Sequence, residues 1–379
     1  MRPTPMPEAG RLPAPQTILV ISLRYFGDVL LTTPLIRSLR RAYPGAQIDA
    51  LLFAGTEAML EGNPDVRSVA TIPARPSGTE HRALVRRLWR RYDLAVIAET
   101  GDRPHLYGWI AAGRRAGLLP PQTGKRWWKQ RLLAQGVTAN AREPRFEAHG
   151  RLLRAMGLDY QPEVVAPTAG VSAQQLCSGL NLEPLPERYA VLQLAPRFRY
   201  KRWNAEGWRD LIAWLCQRGL RVVVTGGNAQ EEREYVDQVL ADRAHDVVNL
   251  TGRLRFAQTA DLLRGAALYV GPDTATTHLA AACGTPTLAL YGPTDPGIWG
   301  PLPRGGLDQS YARHAPLQQH GNVLLLQESA LPCVPCQEEG CERRRESYSA
   351  CLDLMPAERV IGAAQRLLNQ AVRAGGSLA

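Results

Sequence analysis

The sequence predicts an α/β fold made of two Rossmann-like domains, each built on a parallel sheet, facing one another across a cleft. Three observations carry this. Short apolar runs alternate with helical patterns in both halves of the chain. A stretch rich in proline and polar residues, 157–188, separates those halves. Late in the chain an apolar strand, Leu268–Val270, passes through Gly271-Pro272 into a helix that opens at Asp273 and Thr274, stops at Gly284 and feeds a second strand, Thr287–Tyr291. Such a unit puts a helix N-terminus at the carboxyl end of a strand. Open α/β sheets bind ligands there, and free N–H groups with the helix dipole favour phosphate.

In order, Thr17–Leu23 reads as a strand and Asp28–Tyr43 as a helix with apolar residues at Leu31, Leu35 and Leu39, ended by Pro44-Gly45. Gln47–Phe53, Val66–Ile72 and Leu94–Ala98 read as strands, His81–Tyr92 as a basic helix and Glu147–Met156 as a helix closing the first domain. The second half repeats the plan. Its strands are Tyr189–Leu194, Arg221–Thr225, Val247–Leu250, Leu268–Val270 and Thr287–Tyr291. Its helices are Ala205–Arg218, Ala229–Ala241, Phe256–Arg264, Thr274–Cys283 and, at the end, Met355–Arg373. The expected division is a disordered tail (1–16), a first domain (17–165), a linker (166–188), a second domain (189–354) and a terminal helix with a short tail (355–379).

Composition narrows the function classes. The first sixteen residues hold five prolines and no apolar signal segment, and no apolar run spans a bilayer, so a cytoplasmic protein is expected. Of the net charge of +10, residues 1–186 carry +9 (24 Lys+Arg less 15 Asp+Glu) and residues 187–379 carry +1 (21 less 20). Arg82, Arg86 and Arg90 fall four apart on one expected helix face, and a second cluster holds Arg114, Arg115, Lys125, Arg126, Lys129 and Arg131. Such runs are usually solvated faces; the sharper reading is a surface for something anionic, whether nucleic acid, acidic lipid or phosphorylated glycan. Trp127-Trp128 reads first as core, and second as a contact to a sugar or a bilayer interface. Arginine outnumbers lysine 42 to 3, and Lys201 stands alone in a basic loop. There is no G-x-G-x-x-G, P-loop or H-E-x-x-H motif, which argues against a nicotinamide dehydrogenase, a P-loop ATPase and a zincin.

Three segments at strand ends carry candidate chemistry. Asp28, beside Gly27 at a strand-to-helix turn, is placed either to cap the helix or to act as a general base facing the other domain. Arg197, Arg199, Lys201 and Arg202 form a basic loop suited to a diphosphate leaving group. Thr274 and His278, four apart at a helix start, share a face.

At these residues the chain resembles the bacterial lipopolysaccharide heptosyltransferases of glycosyltransferase family nine. The resemblance runs from Ile18 to about Leu368. It rests on Arg24-x-x-Gly27-Asp28-x-Leu-x-Thr-x-Pro34, Lys201-x-Trp203, Asp273-Thr-Ala-x-x-His278-Leu-Ala-Ala and Gly292-Pro-Thr-Asp-Pro296. The detail around Leu23–Pro34 is most like the heptosyltransferase III subgroup. The resemblance implies a GT-B fold, an acceptor in the N-terminal domain and ADP-L-glycero-D-manno-heptose in the C-terminal one. It implies an inverting reaction with no metal or other catalytic cofactor. By the same resemblance Asp28 is the base, Lys201 offsets charge on the departing ADP, and Arg24 and Thr32 lie on the acceptor side. Asp273, Thr274, Ala275 and His278 hold the donor diphosphate, Glu231 meets the ribose and Leu254 the adenine. Gly227 and Arg197 complete the donor side; some members carry threonines where this chain has Pro196 and Arg197. A phosphorylated lipopolysaccharide inner core at the inner face of the cytoplasmic membrane is the implied partner, and no nucleic acid. The competing readings are a related transferase with a protein acceptor or another nucleotide sugar, and a basic binding protein without catalysis. The last has no need of Asp28, Lys201 and Asp273–His278 together.

Cys333-x2-Cys336-x4-Cys341-x9-Cys351 places four of seven cysteines in nineteen residues. The spacing suits a small structural thiolate site with zinc as the default metal. Related autotransporter heptosyltransferases are similar in carrying a cysteine-bound iron late in the chain, so iron is the alternative; four reduced thiols without metal is the third. Cys177, Cys216 and Cys283 read as small apolar residues.

Overall fold

The computed structural model describes residues 14–121, 126–140, 142–242, 247–307, 309–328 and 330–375. Most of the expected N-terminal tail (1–13), Lys125 and the last four residues lie outside them. The N-terminal sheet comprises β1 (Thr17–Ser22), β2 (Gln47–Phe53), β3 (Ser68–Ile72), β4 (Tyr92–Ile97), β5 (Ala112–Leu119) and β6 (Gln135–Thr138). All six are parallel, in the order β3-β2-β1-β4-β5-β6. The C-terminal sheet comprises β7 (Tyr189–Gln193), β8 (Arg221–Thr225), β9 (Val247–Asn249), β10 (Leu268–Pro272), β11 (Thr287–Tyr291), β12 (Leu317–His320) and β13 (Val323–Gln327). Its order is β12-β13-β11-β10-β7-β8-β9, with only the edge strand β12 antiparallel. Leaving out β12, both sheets have the same doubly wound order and reverse direction at their first strand. That crevice is where such sheets take ligands.

Burial explains why the strands were legible. Ile18, Val20, Ile48, Ala50, Val96 and Leu118 pack on one face of the first sheet, in a core that runs on to Tyr189, Val191 and Leu263 of the second half. Leu19, Ile21, Leu51, Ala95 and Ile97 pack on the other face under an outer helical layer. A strand covered on both faces reads as an unbroken apolar run. The halves are joined further by Asp261, which accepts hydrogen bonds from Thr168 Oγ1 (2.7 Å) and the Ala169 amide (2.9 Å), and by the Arg255–Glu61 ion pair.

Several expectations change. The helix expected over Asp28–Tyr43 is two, Phe26–Leu30 and Thr33–Ala42, because Pro34 starts the second and has no amide hydrogen to continue the first. The basic helix is Gly78–Leu88, and Arg90 lies beyond it at φ 49°, so Arg90 does not share a face with Arg82 and Arg86. The stretch expected as linker carries a capped helix, Ala173–Gly179, that buries Leu176 and Cys177. The terminal helix, Ala357–Gly375, packs on β10, β11 and β13. No described helix is long and apolar enough to cross a membrane.

Candidate active site

The N-terminal side of the cleft is built at the carboxyl end of β1. The chain leaves the sheet through Leu23-Arg24-Tyr25 and turns into the helix Phe26–Leu30, which buries Val29 and Leu30 and leaves Asp28 in its first turn. Thr32 fixes this turn, its hydroxyl donating to the Asp28 carbonyl at 2.8 Å and lying 3.3 Å from Ser22 Oγ. The Asp28 carboxylate, 11 % exposed, lies between two guanidinium groups: Arg24 Nε is 3.5 Å from Oδ2 and Arg145 Nε 3.7 Å from Oδ1. Neither distance is a hydrogen bond, and Asp28 Oδ1 is buried without a hydrogen-bond partner among the described residues. Such an oxygen costs about 1–3 kcal/mol unless a ligand, ion or water meets it.

Three further groups share this hollow: Glu99 at the end of β4, and Arg145 and His149 four apart on one face of the helix Arg145–Ala155. The sequence reading missed all three. Glu99 carried a usable signal, a polar residue at the carboxyl end of an apolar strand, the same signal that picked out Asp28. Burial pushes the Glu99 carboxyl up to about 7, against the Leu23 amide, which donates to Oε1, and against Arg24; Asp28 adds to the rise. His149 Nε2 lies 3.0 Å from the Ala98 carbonyl and Nδ1 has no partner among the described residues. Burial holds the imidazole below its usual range, hence neutral.

Glu99 gives a pH prediction. A carboxyl raised from 4.5 to about 7 in the folded chain stabilises the fold fully below the unfolded value and loses that contribution as pH rises through the folded one. The loss is about 3 kcal/mol. Urea denaturation across this range should show stability falling as pH rises from about 4 to about 8, and Glu99→Gln should flatten that part of the curve.

The C-terminal side is built around β10. Gly271 is required there, because a β-carbon would sit 2.2 Å from the hydroxyl of Tyr269. Asp273, read from the sequence as a possible cap, is not the cap of the following helix, Ala275–Cys283. Thr274 is, its Oγ1 accepting from the Thr277 amide at 3.4 Å and donating to Gln193 Oε1 at 2.6 Å. Gly284 ends the helix at φ 81°. Asp273 is free to pair with Lys201, Nζ to Oδ2 being 2.5 Å. Lys201 comes from a short 3-10 turn, Arg199–Lys201, anchored by the buried Trp203, which donates from Nε1 to the Met355 carbonyl at 2.9 Å. Burial opposes the charge on both partners, but each outweighs it for the other. Lys201 is raised above the usual amine range, and Asp273, helped by His278, is held below the usual carboxylate range. Burial keeps His278 low and neutral.

The two sides meet. The helix Phe26–Leu30 packs against Ala275–Cys283, and the Asp28 charge acts on His278. Phe26 and Phe256 pack with ring centres 4.8 Å apart. The structure therefore gathers Arg24, Asp28, Thr32, Lys201, Asp273, Thr274, Ala275 and His278 about one cleft. The remaining donor-side candidates lie elsewhere in the C-terminal half. Arg197 is exposed over the Phe198 ring. The Gly227 amide donates at 2.8 Å to Glu232, the buried acid of its helix, whereas Glu231 is exposed and its charge acts on Arg202. Leu254 is half-buried. A larger hollow of about 510 Å³, lined by 14–17 and 42–47 at the other end of β1 and β2, presents no described carboxylate, amine or imidazole.

The chain matches the model of glycosyltransferase family 9 (heptosyltransferase) over residues 82–341, more than half its length. It belongs to that family. As a family 9 glycosyltransferase it is 26% identical over 355 residues to lipopolysaccharide heptosyltransferase 3 of Escherichia coli K12, covering 91% of this chain and 96% of that one. It is 30% identical to lipopolysaccharide heptosyltransferase 1 of Pseudomonas aeruginosa, covering 86% and 87%. The solved E. coli ADP-heptose lipopolysaccharide heptosyltransferase II shares the fold at a TM-score of 0.69, 22% identity and coverage of 93% and 99%. The two-sheet α/β architecture is thus the GT-B type of these enzymes.

Among the described residues no group of three or more His, Cys, Asp or Glu side chains stands close enough to hold a metal ion, and the late cysteines Cys333, Cys336, Cys341 and Cys351, read from the sequence as a zinc or iron site or as reduced thiols, form no such group here. All are free thiols; Cys333, Cys336 and Cys341 are exposed and Cys351 is buried. Cys341 Sγ takes the Ala350 amide at 3.4 Å, while burial, with the neighbouring Cys336, Cys341 and Cys333, pushes the Cys351 thiol up to about 12. Mass-spectrometric mapping after brief alkylation should find the three exposed thiols labelled well before Cys351. Equal protection of all four with co-purifying metal would contradict this.

Proposed function

We propose that this family 9 enzyme transfers L-glycero-D-manno-heptose from ADP-heptose to a heptose of the phosphorylated, lipid-linked inner core of lipopolysaccharide, at the inner face of the cytoplasmic membrane. The observation that carries the reading is Asp28, whose buried Oδ1 lacks a partner among the described residues and whose helix packs on the donor-side helix. The names of the relatives support the sugar, the nucleotide and the acceptor class.

In this reading Asp28 takes the proton of the acceptor hydroxyl as its oxygen attacks the anomeric carbon. The bond from that carbon to the diphosphate oxygen breaks, ADP departs with the electron pair, and a single displacement inverts the centre. Charge on the leaving ADP is met by the start of the helix Ala275–Cys283 and by Lys201. An ammonium has three protons, and Lys201 turns two toward the Asp273 carboxylate and carbonyl, leaving one for a phosphate oxygen. Arg197 and Gly227 line the diphosphate side, Glu231 the ribose and Leu254 the adenine. Arg24 and Arg145 flank the Asp28 carboxylate and lie beside the acceptor.

The test is ADP release from ADP-heptose with a truncated, phosphorylated inner-core acceptor, with and without EDTA, against an ADP-glucose control. Acceptor-dependent release that survives EDTA supports the reading, because the step as written uses no metal. ADP binding without release places the acceptor or the sugar elsewhere.

A further inference from the structure

The outer face of the N-terminal sheet carries a second surface. The helices Gly78–Leu88, Asp102–Ala111 and Arg126–Leu132 cover it, and the middle one packs against both others. His81 Nδ1 and Tyr107 Oη, 3.0 Å apart, tie the first pair; the Trp128 ring packs edge-on against His105 in the second. The middle helix buries Tyr107, Gly108 and Ala111 against the sheet, yet its outward face shows Leu106 and Trp109, one turn apart. These are 47 % and 45 % exposed, and Trp89 and Trp127 on the flanking helices are 61 % and 67 % exposed. A helix apolar on both sides does not belong on a surface that faces only water.

The flanking helices carry arginines, Arg82, Arg86 and Arg87 on the first and Arg126 and Arg131 on the third. None of the five forms an ion pair among the described residues. An excess of like charge around exposed tryptophan is relieved by an anionic plane with an apolar interior. Tryptophan at the headgroup level and arginine on phosphate are the chemistry of that boundary.

We infer that this layer docks the protein on an anionic phospholipid bilayer, with Leu106, Trp109 and Trp127 entering the headgroup region and the arginines on lipid phosphates. A single-stranded nucleic acid fits less well, since it wants a basic groove with stacking platforms, whereas these groups stand on outward helix faces. The docking deepens the proposed function, whose acceptor is lipid-linked.

The experiment is co-sedimentation of the full chain with vesicles of phosphatidylcholine alone or with about a third phosphatidylglycerol. Binding should require the anionic lipid and weaken with salt. Arg86→Gln with Arg87→Gln should weaken it about fivefold per charge removed. Leu106→Ser with Trp109→Ser should weaken it about tenfold or more. All variants should keep wild-type ADP affinity and wild-type turnover on a water-soluble acceptor, which shows that they fold. Absence of vesicle binding by the wild type, or binding that neither pair of changes alters, overturns the proposal. So does loss of RNA binding in the arginine variant with vesicle binding intact. A chain that docks as described but releases no ADP leaves the surface standing and sinks the heptosyl reading instead.

Discussion

Asp28→Asn should lower kcat by about two to four orders of magnitude, the range a positioned base contributes. Asparagine keeps the volume and the turn: the Thr32 hydroxyl bonds the Asp28 backbone carbonyl, and Val29 and Leu30 still anchor the helix. It removes the carboxylate, and so the proton acceptor, between Arg24 and Arg145. In the proposed reaction ADP binds on the other wall, so its affinity should change by less than about twofold. Steady-state kinetics with calorimetry of ADP binding separates the outcomes. Equal losses in turnover and ADP affinity would mean that Asp28 holds the cleft together rather than acting on the acceptor.

Lys201→Met should affect turnover and stability together. The change strands Asp273, which is buried and ionised through Lys201, and breaking a buried pair from one side costs about 3–5 kcal/mol. Asp273 is held low and Lys201 high, so the contribution of the pair spans the range between the two titrations. It fades in acid as Asp273 takes a proton, and in strong base as Lys201 loses one. Urea denaturation should therefore find the variant much weaker than wild type at neutral pH, with the gap narrowing as the pH falls below the ordinary carboxylate range. Adding Asp273→Asn should restore most of the stability but not the turnover, which should stay down by about two to three orders of magnitude for want of the charge opposite ADP. Recovery of both would make the pair purely structural.

Each sheet hid two strands from the sequence, β5 and β6 in the first and β12 and β13 in the second. The strands found in the second are apolar runs between capped helices, and Phe256–Arg264 and Thr287–Tyr291 were bounded as they stand. In the first sheet β5 was missed, because Gly113-Arg114-Arg115 reads as a turn when its partner strands are unknown. Asp102–Ala111 was missed because its exposed Leu106 and Trp109 erase the alternation of a half-buried helix. In the site, Asp28, Lys201 and Asp273 were found as polar residues at strand ends. Their partners were not, since the Lys201–Asp273 bond spans 72 residues and the flanking of Asp28 by Arg145 is likewise set by tertiary packing. Glu99 carried the same strand-end signal and was passed over, and His149 looked like an ordinary helix residue until burial and the shared hollow gave it a role. At the late cysteines the spacing suggested a metal site, and the described side chains form no group of three or more ligands there.

The most direct test of heptosyl transfer is the mass of the acceptor itself, after incubation of a phosphorylated inner-core oligosaccharide with ADP-heptose and the wild-type or Asp28→Asn chain. The account predicts that the wild type adds a single heptose and that the variant leaves the acceptor unchanged over the same time. An unmodified acceptor with wild-type enzyme while ADP-heptose is consumed, or equal addition by both chains, would contradict it.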